Sequence, residues 1–323
     1  MKNYLKILKK ANKIAMFSHS SPDPDTIGST IALYLAMTKA GKSVDLFCET
    51  ELSESYHFLD EAKLYNQVEF NKDNYDLLVV VDVAGLNMLG KFQEGFDLHT
   101  NTLRLDHHAK GELEAKVNVV KTYSACAILI YEVIKDLKIK IDSKIATALY
   151  FAVAGDTGIF RNNNTDSLTF KVAADLLDLG ADIKKVYSEF FDKKTVPFTK
   201  LTANTILSAE LNDEFGYAIM KVSLADFERF NVLPDESVGN LANTYLSCGY
   251  KIASVLKEKE DGIHGSFRSK TEYDCSEIAA TFGGGGHKNA AGFLIKKSLE
   301  EAIADVKTAV ENYLKNFNKT KEN

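Results

Sequence analysis

The chain holds only four cysteines, Cys48, Cys126, Cys248 and Cys275, with no Cys-x-x-Cys pair among them. That scarcity argues against a zinc knuckle and a disulfide framework, and the four read as buried thiols in a reducing compartment. Basic residues are not in excess. Lys and Arg number 39 against 45 Asp and Glu, a formal net charge of −6. Without a global basic field, long nucleic acid has no hold through its phosphates, so any phosphate partner must be gripped locally. No run approaches the roughly 20 apolar residues of a membrane span. Residues Met1 to Lys10 interleave lysines with apolar residues and never build the continuous apolar core of a signal peptide. The expectation is a cytoplasmic protein with no membrane partner. There is no internal repeat. What remains is 323 residues of ordinary globular composition, 45% hydrophobic and 26% charged, long enough for two cores.

After a short amphipathic helix, strand-like runs alternate with helical ones. Ile14 to Ser18, Ser43 to Cys48, Leu77 to Val81 and Leu103 to Leu105 read as strands, and Thr26 to Ala40 as a helix. Such alternation predicts a mostly parallel sheet flanked by helices, an α/β fold. Leu77 to Val81 is apolar throughout, as a central strand buried on both faces must be. Helices are expected over Tyr123 to Leu137, Ser143 to Gly155, Asp166 to Leu179 and Asp182 to Phe191. Charge and Pro197 then break the apolar rhythm. The division is therefore a first domain over 1–191, a linker over 192–200, a smaller α+β domain over 201–317 and a solvated tail over 318–323. In the second domain Tyr217 to Val222 reads as a strand, Leu233 to Asn243 as a helix, and Lys251 to Lys257 with Gly262 to Arg268 as an antiparallel pair. The glycine run Gly283 to Gly286, a strand near Ala291 to Ile295 and a closing helix from Ser298 follow.

Carboxylates and imidazoles cluster where strands end. His19, Asp23 and Asp25 follow the first strand, Asp82 follows Leu77 to Val81, and Asp106-His107-His108 follows Leu103 to Leu105. Any one of these could be a turn or capping residue. Together they gather negative charge along one edge of one sheet, and carboxylates so placed repel unless cations neutralise them. Adjacent His107 and His108 point in different directions, so one can bind a metal while the other faces a substrate. Asp156 ends an apolar helix, where a carboxylate opposes the macrodipole and its cost must be offset.

The set His19-x-x-x-Asp23-x-Asp25 with Gly28-Ser29, Asp82, Asp106-His107-His108 and Asp156-Thr157-Gly158 resembles the DHH phosphoesterase superfamily. Gly283-Gly284-Gly285-Gly286-His287 with Asn289-Ala290-Ala291-Gly292 resembles the substrate-binding DHHA1 domain, and the pairing resembles the family's oligoribonucleases. The resemblance implies a two-domain hydrolase with its active site in the interdomain cleft and two Mn²⁺ ions, or Mg²⁺ in their place. His19, Asp23 and Asp82 would bind one ion, and Asp25, Asp82, His107 and Asp156 the other, with Asp82 bridging. Two such ions activate a shared water and clamp the attacked phosphorus. His108 would stabilise the transition state or protonate the leaving oxygen, and Asp106 would orient a histidine. Arg268 with Ser269, and Gly284, Gly285, Gly286 and His287, would hold substrate. The implied reaction is hydrolysis of short oligoribonucleotides to mononucleotides, with 3′-phosphoadenosine 5′-phosphate as a further substrate and room for a homodimer. Two other readings compete: an inorganic pyrophosphatase, whose family lacks the glycine-rich His motif, and a nucleotide sensor without turnover, which would need a broken ligand set. Pro24 and Lys288 depart from the family's usual Gly and Pro, and neither touches the ligand set.

Overall fold

The computed structural model describes residues 2–108, 111–192, 194–234 and 238–322. They pack as two compact units, Met1–Lys193 and Lys194–Asn323.

In the first unit β1 (Lys13–Phe17), β2 (Ser43–Phe47), β3 (Leu77–Val81), β4 (Thr102–Asp106) and β5 (Val117–Val120) form one all-parallel sheet in the order β2-β1-β3-β4-β5. Its helices are α1 (Asn3–Lys10), α2 (Pro24–Lys39), α3 (Gln93–Asp97), α4 (Cys126–Asp136), α5 (Ser143–Asp156), α6 (Ser167–Asp178) and α7 (Ile183–Phe191). β3 lies mid-sheet and is buried end to end because its side chains alternate between two cores. Leu77, Val79 and Val81 join the core that includes α2, α4 and α5, and Leu78 and Val80 join a second core with Phe17, Phe47, Phe92 and Phe96. The sequence reading passed over β5, an edge strand whose residues alternate between half-buried and exposed.

Two glycines set how closely α2 and α5 approach. A Cβ at Gly28 would stand 2.5 Å from the Ala148 carbonyl oxygen and 2.8 Å from the Ala152 Cβ, and one at Gly155 would collide with Pro24. Close approach here brings the first turn of α2, with Asp25, beside the last turn of α5, with Asp156.

In the second unit β6 (Glu210–Asn212), β7 (Tyr217–Val222), β8 (Ile252–Lys259), β9 (Gly262–Ser269), β10 (Gly285–His287) and β11 (Ala290–Ile295) form a sheet in the order β10-β11-β9-β8-β7-β6. Neighbours are antiparallel except the parallel pair β7 and β8. Its helices are α8 (Val196–Leu207), α9 (Leu224–Phe230), α10 (Asn243–Ser247), α11 (Cys275–Ala280) and α12 (Leu299–Glu322).

Several expectations are corrected. The expected linker over 192–200 includes Lys193, which lies outside the described residues, and from Val196 it is already helix. Pro197 sits in the first turn of α8, where no backbone N-H is needed, and the Thr195 hydroxyl caps it by accepting from the Phe198 amide at 3.2 Å. α12 continues through most of the expected tail, whose last residue, Asn323, is not described. Of the helix expected over Leu233 to Asn243, Asp235, Glu236 and Ser237 lie outside the described residues. The rest includes a 3₁₀ turn, Gly239–Ala242, leading into α10, while the preceding α9 ends on left-handed Asn231. Cys248 is exposed, whereas the other three thiols are buried as expected. Among the described residues no helix is long and apolar enough to cross a membrane.

Candidate metal centre

The centre is assembled at the carboxyl edge of the first sheet, where α/β sheets bind ligands. His19 lies just past β1 and is buried. Asp23 is the N-cap of α2, its Oδ1 accepting from the Thr26 amide at 2.9 Å. Asp25, in the first turn of α2, is 1% exposed. It accepts from the Ser29 hydroxyl at 2.9 Å and from the Cys126 and Ala127 amides at 2.6 and 3.1 Å, so it also caps α4. Asp82 follows β3 in the left-handed region, φ 60°, a strained conformation that Asp tolerates better than most residues. The His107 Nδ1 donates to the Tyr123 carbonyl at 2.9 Å, which turns Nε2 toward the carboxylates.

His107 Nε2 stands 3.3 Å from Asp82, 3.8 Å from Asp25 and 3.9 Å from Asp156. His19 Nε2 stands 3.9 Å from Asp23 and 4.0 Å from Asp82. Three groups have donor atoms close enough to share a cation: His19, Asp23 and Asp82; Asp25, His107 and Asp156; and Asp82, His107 and His108. In the third, His108 Nδ1 is engaged by Asp106 at 2.8 Å. Asp82 Oδ1 is buried and makes no well-aligned hydrogen bond; only the imidazoles of His107, at 3.3 Å, and His108, at 3.5 Å, stand near it, a setting that a cation would complete. The residues fit a metal.

Charge crowding has the expected consequences. Burial, with the Asp82 carboxylate next to it, pushes Asp25 well above the usual carboxylate range and raises Asp23. Burial pushes Asp156 up to about 6. Burial alone would lower His107, but the Asp82 and Asp25 carboxylates outweigh it and raise the imidazole to about 10. In the absence of a metal, protons do part of the neutralising.

Asp106 stands apart, in none of the three groups. Its Oδ1 accepts from the His107 amide at 2.8 Å, the His108 amide at 3.2 Å and His108 Nδ1. Its Oδ2 accepts from Arg104 Nε at 3.1 Å and from Arg104 Nη2. Burial opposes ionisation, yet His108 and Arg104 hold it at about 2. Arg104, passed over by the sequence reading, had a visible signal: a charge inside an apolar strand, two residues before Asp106 and so on the same face. The Tyr123 carbonyl and the Cys126 and Ala127 amides had none, being backbone.

In the second unit Arg268 pairs with Ala290, which pairs with His287, so Arg268 and His287 occupy one row across β9, β11 and β10 with a small residue between them. Arg268 donates to the Phe267 carbonyl at 2.8 Å and to the Asn240 side chain at 3.0 Å. Ser269 alternates to the other face, where its hydroxyl donates to the Tyr273 carbonyl at 2.9 Å and accepts from Asn289 at 3.1 Å. Gly284 and Gly286 are dictated by backbone: a Cβ on the first would meet the Phe293 Cβ at 2.7 Å, and the second has φ 144°. Gly285 faces open space.

Residues 13–153 match the DHH family, N-terminal domain, and residues 219–316 match the DHHA1 domain. The chain thus carries a DHH-family N-terminal domain followed by a DHHA1 domain. It is similar to proteins named bifunctional oligoribonuclease and PAP phosphatase NrnA. The one from Thermus thermophilus is 26% identical, over 93% of this chain and 90% of its own length. The one from Bacillus subtilis is also 26% identical, over 93% and 95%. A solved structure of an exopolyphosphatase-related protein from Bacteroides fragilis shares the fold with a TM-score of 0.91, at 22% identity over 98% of this chain and 96% of that one.

Proposed function

We propose that this chain is a Mn²⁺-dependent phosphoesterase that hydrolyses short oligoribonucleotides to mononucleotides and also dephosphorylates 3′-phosphoadenosine 5′-phosphate. The observation that carries the reading is the convergence of His19, Asp23, Asp25, His107 and Asp156 around the buried Asp82. The names of the full-length relatives agree with it.

In this reading His19, Asp23 and Asp82 hold one cation and Asp25, Asp82, His107 and Asp156 a second, with Asp82 common to both. Oxygen and imidazole donors without thiolate suit Mn²⁺, with Mg²⁺ the alternative. When bound, the pair supplies a water of lowered pKa and charge to neutralise the phosphoryl group. The chain's own groups do the rest. Asp106 holds His108 by Nδ1, leaving Nε2 to donate a proton to the leaving oxygen as the phosphoester opens. Arg268, His287 and the backbone of Gly284 to Gly286 grip a substrate phosphate, guanidinium being suited to two-point recognition. Ser269 serves by fastening the loop that follows Arg268. The acidic overall balance agrees with short substrates, and the cytoplasm is the compartment that goes with them.

The test is a panel of purified protein with Mn²⁺ and, separately, labelled RNA of two to about five nucleotides, 3′-phosphoadenosine 5′-phosphate, and pyrophosphate. The expected result is release of mononucleotides from RNA and of phosphate from the bisphosphate. Rapid cleavage of pyrophosphate alone would overturn the reading in favour of a pyrophosphatase, and binding of RNA without cleavage in favour of a sensor.

A further inference from the structure

We infer that Arg104 is a positioning residue for the reaction: by taking one oxygen of Asp106 in its fork it dedicates the other to His108 and fixes where that imidazole stands. The inference rests on the reading of His108 given above. Arg104 is 4% exposed and Asp106 fully buried. A guanidinium in that setting is costly unless its donors are met, and here the partners are specific. Nε and Nη2 both go to Asp106 Oδ2, and Nη1 donates to the Leu113 carbonyl at 2.8 Å. Asp106 Oδ1 receives the three donors of His107 and His108 described above. Five N-H groups therefore fix the plane of one carboxylate. It cannot rotate to offer Oδ2 to the neighbouring centre.

The fork also binds separate segments together. The Leu113 amide donates to the Ala84 carbonyl at 3.1 Å, so Arg104 ties the segment after the two histidines to the segment after Asp82. Gly111 lies so near the guanidinium that any side chain there would collide with it. The plain alternative is a buried ion pair that only stabilises β4. For that role a positive charge suffices, and lysine would serve. For positioning, the planar two-point fork is required, which lysine lacks.

The deciding variant is Arg104→Lys in the full chain, assayed on a ribodinucleotide with Mn²⁺. Positioning predicts a kcat lower by about 10- to 100-fold, as for other residues that orient catalytic groups, with KM and Mn²⁺ affinity within about twofold of wild type. A second readout needs no metal and no turnover: the His108 Nδ1 proton resonance in the metal-free protein, displaced downfield in the wild type by Asp106 and shifted or lost in Arg104→Lys. Arg104→Gln, a donor without charge, gives a second reading of the same resonance, taken once circular dichroism shows the variant folded. Wild-type kcat and an unmoved resonance in Arg104→Lys would overturn the inference, as would a fall in Mn²⁺ affinity matching the fall in kcat. If the wild type cleaves no phosphoester, the functional reading fails while the resonance still tests the fork.

Discussion

Replacing Gly28 by alanine tests whether the approach of α2 to α5 sets the metal centre. The added Cβ would lie 2.5 Å from the Ala148 carbonyl oxygen and 2.8 Å from the Ala152 Cβ. Comfortable contacts between such atoms lie at about 3.5 Å, so the helices must part by up to about 1 Å. Overpacking of this size costs about 1 to 3 kcal/mol, and alanine returns up to about 1 kcal/mol by its better helix propensity. The net is a loss of about 0 to 3 kcal/mol, and each 1 kcal/mol lost should lower the unfolding temperature of the first unit by about 2 to 4 °C. The parting also separates Asp25 on α2 from Asp156 on α5. An error of about 1 Å in a catalytic constellation can cost about 100-fold in rate, so kcat/KM should fall well beyond what the stability loss explains. Differential scanning calorimetry and Mn²⁺ titration, side by side on Gly28→Ala and wild type, measure both effects. A Gly28→Ala protein as stable as wild type, with unchanged Mn²⁺ affinity, would refute the reasoning.

Three further outcomes follow from the same geometry. Mn²⁺ must displace the proton on His107, held near pH 10, and below about pH 6 also the one on Asp156. Apparent affinity should therefore rise with pH, by about one decade per unit for each proton displaced, and isothermal titration in buffers spanning the range checks the slope. Saturating Mn²⁺ should raise the unfolding temperature of the first unit, by about 2.7 kcal/mol of stabilisation for each bound ion at 100 times its Kd, and Asp82→Asn should lose most of that rise in a thermal shift assay. In the second unit Gly284→Ala should destabilise the β10–β11 hairpin, because its Cβ meets the backbone of β11, whereas Gly285→Ala, which faces open space, should leave the fold intact and raise KM for RNA; calorimetry and steady-state kinetics separate the two.

The parallel sheet and the strand-end acids were legible in sequence because both depend on local pattern. Five apolar residues capped by Asp82 mark a central strand and its ligand-bearing end together. Elements that depend on partners were not legible. β5 is an edge strand of only four residues, half-buried on one side, too short for a pattern to stand out although three of the four are valine. Pro197 reads as a break until the chain is seen to enter α8 there, where proline's missing N-H costs nothing. At the site, the acidic residues stood out but their supports did not. Asp25 is held by the amides of Cys126 and Ala127, a hundred residues away, and backbone donors leave no trace in side-chain chemistry. Arg104 was visible as a charge in a strand, but its meaning needed the partner at Asp106. The resemblance pairs Arg268 with Ser269 as one substrate grip, whereas as neighbours on β9 they face opposite sides of the sheet.

The central claim is that one cluster around Asp82 holds a pair of cations. Mn²⁺ titration of the metal-stripped protein, followed by electron paramagnetic resonance, tests it most directly. The account predicts two ions per chain with the broadened, weakened signal of coupled neighbours, and loss of that coupling in Asp82→Asn. A single uncoupled ion in the wild type, or coupling that survives Asp82→Asn, would contradict it.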